Sequence, residues 1–137
     1  MNILLVVPVL APLAAAVLAA LLGWRRLSAS VTVVSALSVL VSGAVIGLRV
    51  GSGAQLSVGR LLRADALSVT MLLVIGTVGT LATWASVGYI NAELAHGHTN
   101  RKGANLYGVL VPIFLSAMAL AVLANNIGVM WVAIEAT

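Results

Sequence analysis

The segment Ala66–Gly88, ALSVTMLLVIGTVGTLATWASVG, runs for 23 residues without a charged side chain. As a helix rising ~1.5 Å per residue it reaches about 35 Å, enough to cross a hydrocarbon layer about 30 Å thick. Its polar residues are small: Ser68, Thr70, Gly76, Thr77, Gly79, Thr80 and Thr83. Gly76, Thr77 and Thr80 share a side and read as a helix-contact surface, because small residues let backbones approach closely in lipid. Asp65 stands immediately before the run. A carboxylate there caps the free N–H groups of the first turn and meets the positive end of the helix dipole, a stronger reading than ion uptake.

The rest of the chain fits the same solvent. Of 137 residues, 62% are hydrophobic and 7% are charged, whereas a soluble domain carries roughly 25% charged residues. The expected fold is therefore an all-α integral membrane protein in one domain, residues 1–137, with four complete transmembrane helices and the start of a fifth. The first span covers Ile3–Gly23 with Pro8 and Pro12 in its opening half, and proline is tolerated in membrane helices whose freed carbonyls find other partners. No Lys or Arg precedes it and its apolar run is too long for a signal peptide, so it reads as a retained span. The second covers Ser28–Leu48. Ser28, Thr32, Ser35, Ser38 and Ser42 line one side, and Gly43 with Gly47 forms a GxxxG pair; both features point to packing rather than a conduction path.

Between the second and third spans, AQLSVGRLLRAD (Ala54–Asp65) alternates polar and apolar residues and suits a short external hairpin on the membrane surface. A polar loop over Tyr89–Asn105 precedes a fourth span, Leu106–Ala124, with Pro112 near its start. Asn125 and Asn126 then break the apolar run before a fifth span opens at Ile127. With the N-terminus outside, Arg25, Arg26, Arg101 and Lys102 are cytoplasmic and Arg49, Arg60 and Arg63 external, which agrees with the positive-inside rule. Trp24, Tyr89 and Tyr107 fall at one boundary, as an interfacial belt.

The net charge of +4 is scattered over short connections, forms no stripe and is not interleaved with aromatics, so nucleic acid is not an expected partner. There is no cysteine, hence no disulfide or thiolate chemistry. No phosphate loop, Ser/His/Asp set or dinucleotide fingerprint occurs, so neither a catalytic centre nor a bound cofactor is expected. Glu93, His96 and His98, in NAELAHGH (Asn91–His98), are metal-ligand types, but nothing supplies a fourth ligand and a solvated loop is the expectation.

Glu135 is the exceptional residue. If Asn125 and Asn126 mark the outer boundary, a rise of ~1.5 Å per residue places it roughly 13 Å deep, near the midplane. An ionisable group there costs at least ~2.5 kcal/mol and typically marks a proton relay or ion path; the competing reading is a protonated carboxyl that holds helices together. No Lys or Arg lies inside any of the spans to pair with it.

Two stretches carry a resemblance. LANNIGVMWVAIEAT (Leu123–Thr137) and LLRADALSVTMLLVIGTVGTLATWASVGYI (Leu61–Ile90) resemble the opening of the antiporter-like membrane subunits shared by respiratory complex I, Mrp cation/proton antiporters and group-four membrane-bound hydrogenases. The wording around Glu135 most resembles component F of the hydrogenase-four type. The layout of the whole chain fits, while the first two spans are similar in hydropathy alone. The resemblance implies that the chain is the N-terminal portion of a larger subunit in a bacterial or archaeal cytoplasmic membrane. Its implied partners are other membrane subunits of a hydrogenase or complex-I-like assembly, and its implied cargo is the proton or sodium. It further implies that Glu135 matches the family's proton-translocating glutamate of the fifth helix, whose lysine partner comes from the seventh. Pumping by these residues alone is not expected. Two alternatives stay open: a stand-alone membrane scaffold that assembles through its small-residue faces, and a piece of an Mrp-type antiporter subunit.

Overall fold

In lipid the backbone can satisfy itself only within helices or closed barrels, and the computed structural model, which describes residues 3–137, is a helical bundle. A 3-10 turn at Ile3–Leu5 precedes helix α1 (Val7–Leu22), then α2 (Arg26–Gly51), a hairpin of strands β1 (Leu56–Val58) and β2 (Leu62–Ala64), α3 (Ala66–Ala95), α4 (Arg101–Leu123) and α5 (Ile127–Glu135). Met1 and Asn2, which open the first apolar run, lie outside the described residues.

Three helices, α2, α3 and α4, are long and apolar enough to cross a membrane, and α1 is a shorter apolar helix. The expected four complete spans are thereby corrected to three. The 16 residues of α1 reach about 24 Å, less than the hydrocarbon thickness. Pro8 is the reason at one end. It occupies the first turn, where a missing N–H costs nothing, so the helix starts there and Ile3–Leu5 turn separately. Gly23 is the reason at the other, leaving the helix at φ +69°, a conformation that strains any side chain with a Cβ.

Elsewhere the helices overrun their apolar segments. α3 continues through Ala95 and α4 begins at Arg101, so the expected loop shrinks to residues 96–100. Charges take a helix out of lipid but do not end it. Gly97, at φ +70°, provides the turn, and the Asn100 side chain accepts from Gly103 N at 2.8 Å, capping α4.

α2 and α3 form the closest pair. A Cβ placed on Gly76 would lie 2.5 Å from the Leu40 backbone, one on Gly43 would press on Leu72 at 3.2 Å, and one on Gly47 on Val69 at 2.9 Å. These helices touch where side chains are absent, which is how association proceeds when lipid removes the hydrophobic driving force. α1 buries Ala15, Ala16 and Ala19 in the bundle, with Ala19 facing Gly108 of α4. Ser116 of α4 donates to Val9 O at 2.7 Å, one residue beyond the Pro8 carbonyl that Pro12 cannot serve. Interhelical hydrogen bonds of this kind average about 0.6 kcal/mol in membranes.

The hydroxyls of the α2 stripe are spent locally. Thr32 donates to Ser28 O, Ser35 to Thr32 O, and Ser42 to Ser38 O, so the stripe is packing surface and not a chain of linked hydroxyls. On α3 the buried polar side is Ser68 and Thr83 with Gly76 and Gly79, and Thr77 is exposed. The expectation that Thr77 shares the contact surface is corrected: the interface follows the spacing 72, 75/76, 79 and 83.

The hairpin pairs Leu56 with Ala64 and Val58 with Leu62. It buries Leu56, Leu62 and Ala64 against Leu5 and Leu123, closing one end of the bundle.

Candidate functional site

α5 is placed by three local devices. The Asn126 side chain accepts from Gly128 N at 2.8 Å and Val129 N at 3.4 Å, making it the N-cap. Ala124 bridges to Leu62 of β2, and Asn125 N donates to Leu61 O at 2.8 Å. The hairpin therefore fixes where α5 starts, and α5 then runs along α4 with Ala133 as its buried residue.

Glu135 is the last residue of α5 and is exposed. Among the described residues no cation lies within ion-pair distance of it; the acid–base contact present is His98 Nδ1 to Glu93 Oε1 at 3.5 Å. The neighbours of Glu135 on α5 are apolar: Trp131, Val132 and Ile134 are all exposed. The carboxyl thus stands on an outward surface of α5 among apolar side chains.

Asp65 is the N-cap of α3, its Oδ1 accepting from Ser68 N at 2.8 Å. The Ser68 N–H, with help from the Ser68 hydroxyl, the Leu67 N–H and the Arg63 charge, holds this carboxyl below its ordinary range, as donors to the charged form do. Asp65 lies at the α3 start, beside the hairpin. Gly43, Gly47 and Gly76 lie in the α2–α3 seam, and Thr80 donates to Gly76 O at 2.6 Å. These residues and Glu135 do not form one cluster: the seam and cap residues set the scaffold, and Glu135 stands on a separate helix.

Glu93, His96 and His98 remain exposed or half-buried at the turn between α3 and α4. His96 Nδ1 bonds Ala92 O at 2.7 Å, and among the described residues no three His, Asp or Glu gather in a metal-binding arrangement.

A knot around Trp24 is not visible in the sequence, which places this residue in an interfacial belt. Trp24 is 6% exposed because polar side chains draw it inward. Its backbone N donates to Asn105 Oδ1, its indole Nε1 to Asn91 Oδ1 at 3.0 Å, and its carbonyl accepts from Arg101 Nη1 at 2.9 Å. Tyr107 meets its ring edge-on at 6.1 Å and shares a hydrogen bond with Ser86. The available signal was Gly23 before Trp24, with Asn91 and Asn105 on the helices that face this turn.

None of the known family models matches this chain. Over 77 residues, 56% of the chain, it is 32% identical to the hydrogenase-4 component F homolog of Methylacidiphilum infernorum (isolate V4). The aligned region spans 16% of that protein's length. The chain is thus a membrane-embedded, mainly helical protein similar in part to a hydrogenase component.

Proposed function

We propose that the chain is the N-terminal portion of a proton-translocating membrane subunit in a hydrogenase or complex-I-like assembly, with Glu135 as its proton-binding group. One observation carries the reading: a carboxyl on the outward apolar face of α5, without a cation at hand among the described residues. The partial similarity to a hydrogenase-4 component F homolog supports it. On this reading the counter-charge comes from helices elsewhere in the assembly. The ion is the proton, with sodium as the alternative for an Mrp-type relative.

The test is Glu135→Gln in the intact assembly, with proton uptake coupled to electron transfer measured in vesicles. Loss of uptake at retained assembly is expected; unchanged coupling would overturn the assignment. Performing the assay with and without sodium separates the two ions.

The orientation proposed is N-terminus outside in the cytoplasmic membrane. With no native cysteine in the chain, Gln55→Cys in the hairpin region should react with an impermeant maleimide in intact cells. His98→Cys should react only after lysis. The reverse pattern would invert the topology.

A scaffold role rests on the α2–α3 seam, where Gly76 admits the Leu40 backbone. That contact is internal to the chain, so the exposed carboxyl favours the transport reading.

A further inference from the structure

At the end of the bundle away from the hairpin, the α1–α2 turn and the facing ends of α3 and α4 enclose an open recess of about 930 Å³. Trp24, Arg25, Arg26, Asn91, Leu94 and Arg101 line it. Three arginines thus line one space, with Lys102 next in sequence. Among the described residues none has a carboxylate within ion-pair distance. The chain's three acids are committed elsewhere: Glu93 faces His98, Asp65 caps α3 at the opposite end, and Glu135 lies on α5. The Trp24 carbonyl and indole on the recess wall are both hydrogen-bonded. Arg101 engages one guanidinium N–H with that carbonyl, out of five such donors.

A second feature says what the recess holds. Directly deeper along the same two helices lies an apolar groove of about 900 Å³, lined by Ser30, Val33 and Val34 of α2 and by Leu81, Trp84 and Gly88 among others of α3. Arg26, Ser30 and Val33 follow one face of α2, and Asn91, Gly88 and Trp84 one face of α3, by helical spacing. An arginine-lined recess and an apolar groove therefore follow one another along the α2–α3 face.

We infer that this face binds an anionic phospholipid, its phosphodiester held by Arg25, Arg26 and Arg101 and its acyl chain in the groove below. Guanidinium forks suit phosphate oxygens, and basic pockets between membrane helices are suited to anionic headgroups. Free phosphate satisfies the same cations but has no use for the groove, which selects the lipid as the source.

The test is native mass spectrometry of the full chain released from micelles doped with equimolar phosphatidylglycerol and phosphatidylcholine. The wild type should retain phosphatidylglycerol preferentially. Arg25→Gln with Arg26→Gln should lower that preference about fivefold per arginine. The charge-matched pair Arg60→Gln with Arg63→Gln, at the hairpin, should leave it unchanged. Gly88→Leu, whose new side chain enters open space at the groove, should reduce retention without altering charge. Equal retention of the two lipids by the wild type would overturn the proposal whether or not any variant folds. So would an equal drop in both double variants, retention unaffected by Gly88→Leu, or stripping of the lipid by excess inorganic phosphate.

Discussion

The α2–α3 seam and α5 are both apolar helical surface, yet they do opposite things. In the seam, glycines and half-buried hydroxyl residues remove side-chain bulk until one backbone rests on another, at Gly76 against Leu40. On α5 a single alanine is buried, and the large side chains Trp131, Val132 and Ile134 point away from the bundle together with Glu135. The seam is closed and specifies the fold. α5 is open, and its one titratable group is exposed on it. Stability should therefore respond to substitutions in the seam, and coupling to a substitution on α5.

Substitutions at six positions test that division. Gly76→Leu attacks the seam where no room exists, and should cost about 3 kcal/mol, the upper part of the overpacking range. Gly88→Ala, whose Cβ meets nothing within 4 Å, should be neutral or stabilising by comparison. Detergent-denaturation midpoints read by circular dichroism measure both, and equal effects would mean the seam is not close-packed.

Thr83→Leu comes next, at about 1–3 kcal/mol, because Thr83 is buried between α3 and its neighbours. The same change at Thr77, which faces outward, should stay within about 0.5 kcal/mol. If Thr77 proves the more sensitive, the face assignment of α3 is reversed.

Asp65→Ala should cost about 1 kcal/mol as a lost N-cap. The carboxyl is held below its ordinary range in the folded chain, so its contribution is complete above the unfolded carboxylate pKa. It is lost as pH falls through the lower folded value. Asp65→Asn keeps a capping oxygen and should flatten that acid limb of the stability profile.

Glu135→Gln should have the smallest effect on stability, within about 0.5 kcal/mol, while removing coupled proton uptake in the intact assembly. A large loss of stability instead would make Glu135 part of the scaffold and erase the contrast with the seam.

Much of this architecture was legible in the residues. The apolar runs identified α2, α3 and α4, the alternation after Ala54 marked the hairpin, and Asp65 before Ala66 announced a cap. The carboxyl in an apolar fifth helix stood out because nothing around it is charged. What was not legible were the faces. A membrane helix meets apolar surroundings whether it touches protein or lipid, so no polar stripe tells the two apart; Thr77 and Thr83 look alike in sequence, yet one is exposed and the other buried.

Helix ends were hidden for a related reason. Apolar runs measure where a chain leaves lipid, whereas caps and glycines decide where a helix stops. Hence α3 extends to Ala95 and α1 is cut short by Pro8 and Gly23. The inward turn of Trp24 needed Asn91 and Asn105, which lie 67 and 81 residues away, and so could only be decided by the tertiary structure. Sequence alone determined the solvent, the number of apolar runs and the one acid among them, because those follow from local composition. Tertiary structure decided which small residues meet, how the hairpin seats α5 and which arginines line one recess, because each depends on partners far apart in the chain.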